Sequence, residues 1–478
     1  MRTKNTLKIV LVFLLVLSAS FAADDRPNIV LVMADDQGWG QVGYYNHPFL
    51  KTPNLDAMAS NGLRFDRFYA GGPVCSPTRA SVLTGRTHNR TGVWNHGAPL
   101  RLQEKTIAQA LRDLGYATGH FGKWHLNGIR GPGVPVLGDD ITSPGAVGFD
   151  TWLTVTNFFD INPVMSRQGK FEEFKGDSSE IIVDEALKYM KGQKDGPFFT
   201  VIWYGSPHDP FVATEEDREP FKHLPENFQH HHGELVALDR SIGTLRKGLR
   251  DLGIADHTLV WYCSDNGGLP AFSPLAVGGL RGHKTTIWEG GLRVPGIIEW
   301  PGVIKKSRVS KHPAGVVDMF PTVLDILGMD ISPMLRPNDG MSILHLINGD
   351  TSEVRPKPLG FHSDGRAAIV DNDYKLVVEN IDGGVFQLFD LILDPKESKN
   401  ILYEKPDVAS DMIQKFVTFD ASVQASIRGE DYPEGHVNPT QPPRVFWWEM
   451  EAYEPYFDEW SKRPEYAPRL KGYLKSKK

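Results

Sequence analysis

The chain has 478 residues, enough for two or three domains at roughly 100–200 residues each. Hydrophobic residues make up 40 % and charged residues 23 %, an ordinary globular composition that excludes bulk disorder. Lys and Arg total 52 against 59 Asp and Glu, and the net charge of −7 excludes a general nucleic-acid binder, which needs a basic surplus. Any anionic ligand must therefore be met by a local cationic pocket.

Arg2, Lys4 and Lys8 precede an apolar run over 9–17, and Ser20-Phe21-Ala22 supplies small residues at cleavage spacing, so 1–22 reads as a secretory signal peptide. The run is shorter than the roughly 20 residues of a membrane span, and no later stretch is long and apolar enough. The expectation is an exported chain, secreted or periplasmic, with no membrane attachment after cleavage.

Next come four short apolar runs that stop at polar residues. Residues 28–34 end in Asp35-Asp36, 117–121 in Gly122-Lys123-Trp124-His125, 198–205 in Ser206-Pro207-His208, and 258–264 in Asp265-Asn266-Gly267-Gly268. Between them lie helical patterns over 106–114 and 234–252, closed by Gly115 and Gly253. This alternation predicts an α/β fold with a large, mostly parallel central sheet flanked by helices. In such sheets the carboxyl ends of the strands share one rim, where ligands bind. From 355 the pattern changes to short strands over 367–370 and 375–378, predicting a smaller C-terminal domain on an antiparallel sheet. The expected organisation is a main domain over 23–354, a subdomain over 355–430 and a tail over 431–478. That tail carries Phe446, Trp447, Trp448, Tyr453, Tyr456, Phe457 and Trp460 before a basic end.

Asp35, Asp36, Asp265 and Asn266 offer only oxygen donors, which suit Ca²⁺ or Mg²⁺ better than Zn²⁺. Cys75-Ser76-Pro77-Thr78-Arg79 leads into Ala80-Ser81-Val82-Leu83-Thr84-Gly85, a helix that places Cys75 at its N-terminus and Arg79 one turn on. Free N–H groups and a nearby cation there favour an oxyanion. Cys263 lies inside an apolar run and reads as core.

Taken together these residues resemble the formylglycine-dependent sulfatases of the alkaline phosphatase superfamily. The resemblance rests on Cys75, Pro77, Arg79, Leu83, Thr84 and Gly85, on Asp35-Asp36, on the motifs ending at His125, His208 and Gly267, and on Lys284. It covers 27–429. It implies that a maturation enzyme oxidises Cys75 to formylglycine, whose hydrate is the nucleophile. It also implies Ca²⁺, ahead of Mg²⁺, on Asp35, Asp36, Asp265, Asn266 and the modified residue 75. Lys123 and Lys284 match sulfate-binding lysines, and Arg79 adds to their positive charge. His125 matches the residue that contacts the hydrate, and His208 the general acid for the leaving oxygen. The implied substrate is a sulfated carbohydrate or polysaccharide, with an aryl sulfate as a test substrate. Two other readings compete. One is a phosphonate or phosphate monoester hydrolase, disfavoured because Asn266, not His, follows Asp265. The other is an exported glycan-binding protein in which Cys75 stays unconverted. Residues 210–229, 269–282 and the aromatic tail are the expected pocket walls, and His230-His231-His232 is a candidate border.

Overall fold

Strands covered on both faces read as near-continuous apolar runs, and those of this chain assemble in that way. In chain order they are β1 (Asn28–Ala34), β2 (Leu63–Tyr69), β3 (Ala117–Lys123), β4 (Ile129–Arg130), β5 (Thr151–Val155), β6 (Val164–Arg167), β7 (Lys170–Glu173), β8 (Phe198–Trp203), β9 (Thr258–Ser264), β10 (Arg293–Glu299), β11 (Arg308–Ser310) and β12 (Ala314–Gly315). The computed structural model describes residues 25–193, 196–352 and 354–476. The expected signal peptide, 1–22, lies outside them. Among the described residues no helix is long and apolar enough to cross a membrane.

The main sheet runs β11-β2-β10-β9-β1-β8-β3-β5-β6-β7, with β12 beside β2. Its centre, β9-β1-β8-β3-β5, is parallel throughout. Alternate residues of β1 face opposite layers, as the period of two requires. Ile29, Leu31 and Met33 pack under the helices Cys75–Thr84, Ile107–Asp113 and Met319–Ile326. Val30, Val32 and Ala34 pack under Pro53–Asn61, Ser178–Gly192 and Glu226–Asp251. The register pairs Ala34 with Ser264, Met33 with Trp203, and Gly122 with Trp203. The polar residues that follow these positions therefore emerge together on one edge.

One helix is longer than its pattern predicts: it spans Glu226–Asp251 and takes in His230, His231 and His232. His231 continues the buried stripe of Leu235, Leu238, Ile242, Leu245 and Leu249, and stacks on Phe272 at 3.7 Å between ring centroids. An imidazole buried among aromatics behaves as an apolar position, which a hydrophobicity pattern does not register.

The smaller sheet is a simple meander of β13 (Leu359–Ser363), β14 (Arg366–Asp371), β15 (Tyr374–Asn380) and β16 (Val385–Asp390), antiparallel throughout. The Pro406–Ile427 helix covers one face. The other packs on Tyr69, Ile287 and Leu292 of the main domain. Lys375 in β15 bonds Glu289 at 3.0 Å and Glu397 at 2.9 Å, all three buried, and so fixes the two sheets to each other.

The tail folds back onto the main domain. Its strand β17 (Val445–Phe446) pairs in parallel with β4, Phe446 opposite Arg130. Trp447, Tyr453, Trp460, Tyr466 and Leu470 form a buried cluster with Ile129 and Val134. Truncating a fully buried indole leaves a cavity worth about 3–5 kcal/mol. Trp447→Ala is accordingly expected to lower the denaturant midpoint by an amount equivalent to that loss. A change below about 1 kcal/mol, the size of an ordinary surface substitution, would show that the tail is not integral to the fold.

Candidate active site

The rim of the parallel strands places the charged residues. Asp35 and Asp36 follow β1, and Asp265 and Asn266 follow β9. Lys123 ends β3, with His125 two residues on, and His208 follows β8. The Asp35 amide donates to Ser206 O at 3.1 Å and the Asp265 amide to Ala34 O at 3.1 Å, so the rim residues continue the sheet ladder. Two of them leave it sharply. Asp36 has φ 69° and His125 φ 58°, in the left-handed region that costs a non-glycine residue about 1–3 kcal/mol unless its surroundings enforce it. For Asp36 the enforcing contact is its amide bond to Asp265 Oδ1, at 3.0 Å.

Above this rim the Cys75–Thr84 helix points its first turn at the carboxylates and ends at Gly85, whose φ of 66° closes it. Cys75 Sγ lies 3.3 Å from His125 Nδ1. Ser76 Oγ donates to His125 O at 2.7 Å and accepts from the Gly97 amide at 2.7 Å, which pins the imidazole-bearing loop to the helix. Arg79, fully buried, donates to Asp265 Oδ2 at 2.8 Å and to Lys123 O at 3.3 Å, and its guanidinium stacks 5.0 Å from the Trp203 ring.

Cations and carboxylates interlock at the floor. Lys123 Nζ bonds Asp35, and Lys284 Nζ bonds Asp36 Oδ2 at 2.7 Å. His208 Nε2 stands 3.9 Å from the same Asp36 oxygen, with its ring stacked on Phe158 at 4.8 Å. Burial pushes the Asp35 carboxyl up, but Lys123, His208, Arg79 and Lys284 together outweigh it and hold it far below the usual range. The balance reverses at Asp265, which burial and the neighbouring Asp35 push up to about 8. Burial also raises the Cys75 thiol, drives His125 well below its ordinary value and, aided by Lys284, lowers His208 to about 4.

This donor set fits a hard cation. Ligand atoms of Asp35, Cys75 and Asp265 lie within 4.8 Å of one another, as do those of Asp35, Asp36 and His208. Asp35 Oδ1 and Asn266 Oδ1 are buried without a hydrogen-bond partner, and buried orphan oxygens call for an ion or a water. Asp35, Asp36 and Asp265 face Arg79, Lys123 and Lys284, three carboxyl groups against three cations. A divalent ion would relieve the carboxylate repulsion and leave net positive charge for an anion.

The cavity above has a volume of about 430 Å³ and is lined by Cys75, His125, His208 and Lys284. Lys123 and Arg79 lie beneath it, fully buried. Of the expected walls, the aromatic tail lines the cavity and the two loop segments do not. No residue of 210–229 or 269–282 lines this cavity, and neither does His230, His231 or His232. Those segments pack elsewhere, as Phe211 and Phe272 do against His231. The walls come from Arg130, Gly131 and Pro132, from Asn157 and Phe158, and, as expected of the aromatic tail, from Phe446 and Trp448, with Arg469 beside them. Asn157 and Phe158 lie just past a fifth rim strand, β5, whose sequence Thr151-Trp152-Leu153-Thr154-Val155 carried the signal. Arg130 had none, since it belongs to a strand of only two residues. Cys263, as expected, is core, and both cysteines are free.

Residues 27–329 match the family model described as Sulfatase, and 282–420 match that described as N-sulphoglucosamine sulphohydrolase, C-terminal. The chain is 32 % identical over 403 residues to N-acetylgalactosamine-6-sulfatase of Canis lupus familiaris, covering 76 % of this chain and 74 % of that one. Arylsulfatase A of Homo sapiens is also 32 % identical, over 67 % of this chain and 70 % of its own length. In fold, the chain resembles Ps i-CgsB in complex with k-i-k-neocarrahexaose, with a TM-score of 0.74 at 24 % identity over 91 % of this chain and 99 % of that one. A phosphonate monoester hydrolase of Agrobacterium radiobacter shares the fold at a TM-score of 0.60 and 21 % identity, over 87 % of this chain and 100 % of that one. The chain belongs to the sulfatase family of the alkaline phosphatase superfamily and is a sulfuric ester hydrolase.

Proposed function

We propose that this chain hydrolyses sulfate esters of carbohydrates, with residue 75 as its nucleophile after conversion of the cysteine to formylglycine. One observation carries the reading. Cys75 Sγ sits at a helix N-terminus on the cavity floor, with the carboxylates of Asp35 and Asp265 on one side and His125, His208 and Lys284 on the other. The carbohydrate assignment is supported by a relative named N-acetylgalactosamine-6-sulfatase and by a fold neighbour in complex with its substrate D-glucosamine-2-N,6-O-disulfate. The signal-like leader supports export.

The hydrated aldehyde supplies a nucleophilic oxygen and a second hydroxyl whose deprotonation expels sulfate. Asp35, Asp36, Asp265 and Asn266 would hold Ca²⁺, which supplies charge to polarise that oxygen and the sulfate. Lys284, at the cavity wall, and Lys123, beneath it, are the donors for the sulfate oxygens once a divalent ion takes over their carboxylate partners. Arg79 positions Asp265 and blocks its movement through the Trp203 stack. His125 Nδ1, 3.3 Å from Sγ, is placed to orient the hydroxyls of the converted residue. His208 Nε2 faces the open cavity, with Nδ1 held 2.5 Å from Asp209 O, and delivers a proton to the leaving alcohol oxygen.

A proton donor must be protonated, and His208 in the free site has its pKa lowered to about 4. The protonated fraction falls as pH rises above that value. For alkyl sulfates, kcat/KM is therefore expected to fall on the order of tenfold per unit through the acidic range, because this parameter reports the free enzyme. Nitrophenyl sulfate needs little protonation and should not follow that slope. His208→Ala is expected to cost about 10²- to 10⁴-fold on a sugar sulfate and far less on nitrophenyl sulfate. Equal losses would move His208 to sulfate binding. Faster turnover of a phosphonate monoester than of any sulfate ester would favour the phosphonate hydrolase reading.

A further inference from the structure

The catalytic floor accounts for one sulfate group. The outer wall of the same cavity carries charge that this sulfate does not use. Arg130 lies at the cavity edge with its guanidinium 4.3 Å from the Phe446 ring centroid. Phe446 and Trp448 stack on each other at 4.5 Å and 11° and line the cavity. Arg469 lines it as well, and Arg444 Nη2 lies 3.3 Å from Nε2 of the lining residue His96.

None of these three arginines has a carboxylate partner within 4.0 Å, among the described residues. Their neighbour in the tail, Arg463, is paired with Glu173 at 3.2 Å and with Glu465 at 2.6 Å. Three guanidinium groups without a carboxylate partner thus stand at one cavity mouth. Burial together with Arg444, Arg130 and Lys284 lowers His96 to about 4, so this histidine adds no charge but reports a positive field. Arg444 is itself lowered by burial and by Arg130.

Like charges gathered without counter-ions in an acidic protein repel one another, and that cost is offset when an anion binds between them. Guanidinium groups bind planar or tetrahedral oxyanions in bidentate fashion. The aromatic pair beside them presents an apolar face of the kind that covers a sugar ring. Its position is fixed by the β4–β17 pairing and by Trp447, buried behind it.

We propose that Arg130, Arg444 and Arg469, with the Phe446–Trp448 pair, form a subsite for a second oxyanion, borne by the sugar next to the one whose sulfate is cleaved. The preferred substrate is then a polyanionic oligosaccharide and not a singly sulfated sugar. This rests on the proposed function for the position of the scissile group. Of the expected basic end, among the described residues, Arg469 lines this cavity, whereas Lys471 and Lys475 line a separate surface hollow.

The test is calorimetric titration in a Cys75→Ala background, so that the ligand survives. Three probes are used: a uronate-bearing sulfated tetrasaccharide, a tetrasaccharide charged only by sulfate esters, and a monosaccharide monosulfate. The variant Arg444→Gln/Arg469→Gln changes two exposed side chains and should fold normally. It is expected to weaken at least one tetrasaccharide about tenfold or more and to flatten its salt dependence, while the loss on the monosaccharide is an order of magnitude smaller. Loss on the uronate probe alone identifies a carboxylate as the second anion; loss on both identifies any oxyanion; loss on the sulfate-only probe alone identifies a sulfate ester. Arg130→Lys keeps the charge but loses the planar fork, and is expected to weaken the same probes. Equal losses on all three probes, or none, would overturn the subsite. A protein that binds tetrasaccharide through this wall yet, with Cys75 intact, releases no sulfate would instead overturn the proposed function and leave the subsite standing.

Discussion

Replacing Cys75 with alanine is expected to remove sulfatase activity by at least about 10⁴-fold, the scale on which deleting a covalent nucleophile acts. Cys75 opens its helix and is 1 % exposed. Alanine keeps the helix, fits the space and costs only the contact of one sulfur, so the thermal midpoint should fall little. Ser76, the neighbouring hydroxyl, cannot substitute, because its Oγ is already engaged with His125 O and the Gly97 amide. The measurement is sulfate release from nitrophenyl sulfate beside a melting curve. Activity within tenfold of the parent, in a folded variant, would remove residue 75 from the reaction.

Chelation is expected to act on a similar scale. Lys123 bonds Asp35 and Lys284 bonds Asp36, and without an ion to hold these carboxylates the lysines keep them as partners. Both lysines are then withdrawn from the sulfate, and the carboxylates are withdrawn from the nucleophile. Ca²⁺ should restore activity, and Mg²⁺ should do so less well, because Asp35, Asp36, Asp265 and Asn266 offer oxygen and Mg²⁺ demands a stricter octahedral geometry. An ion that binds the folded chain also stabilises it, by about 2.7 kcal/mol at a hundred times its dissociation constant. A rise in melting temperature with added Ca²⁺ therefore checks binding without reference to turnover. Restoration by Zn²⁺ alone would contradict the oxygen donor set.

The rim carboxylates of the site were legible because Asp35, Asp36, Asp265 and Asn266 directly follow buried strands, and parallel topology turns distant strand ends into one rim. Asp35 and Asp265 lie 230 positions apart, and their neighbours Asn266 and Asp36 are bonded at 2.8 Å. The β1, β9 and Cys75–Thr84 boundaries follow from apolar runs with sharp polar or glycine stops. Of the walls, only the aromatic tail was legible. Arg130 and Phe446 are brought together by strands of two residues each, too short to show a period. Aromatic content alone could not divide the tail into Trp447, which is buried, and its neighbours Phe446 and Trp448, which face the cavity. The triple histidine misled for a related reason. Polar in composition, it continues an apolar helix face because its rings pack against Phe272 and Phe221.

The central claim concerns the chemical state of one residue. Mass spectrometry of the tryptic peptide spanning 68–79, from protein made in a host with the converting enzyme, tests it most directly. The account predicts the mass of the aldehyde or its hydrate at position 75, in proportion to specific activity. Fully active protein whose peptide carries an intact Cys75 thiol would contradict it.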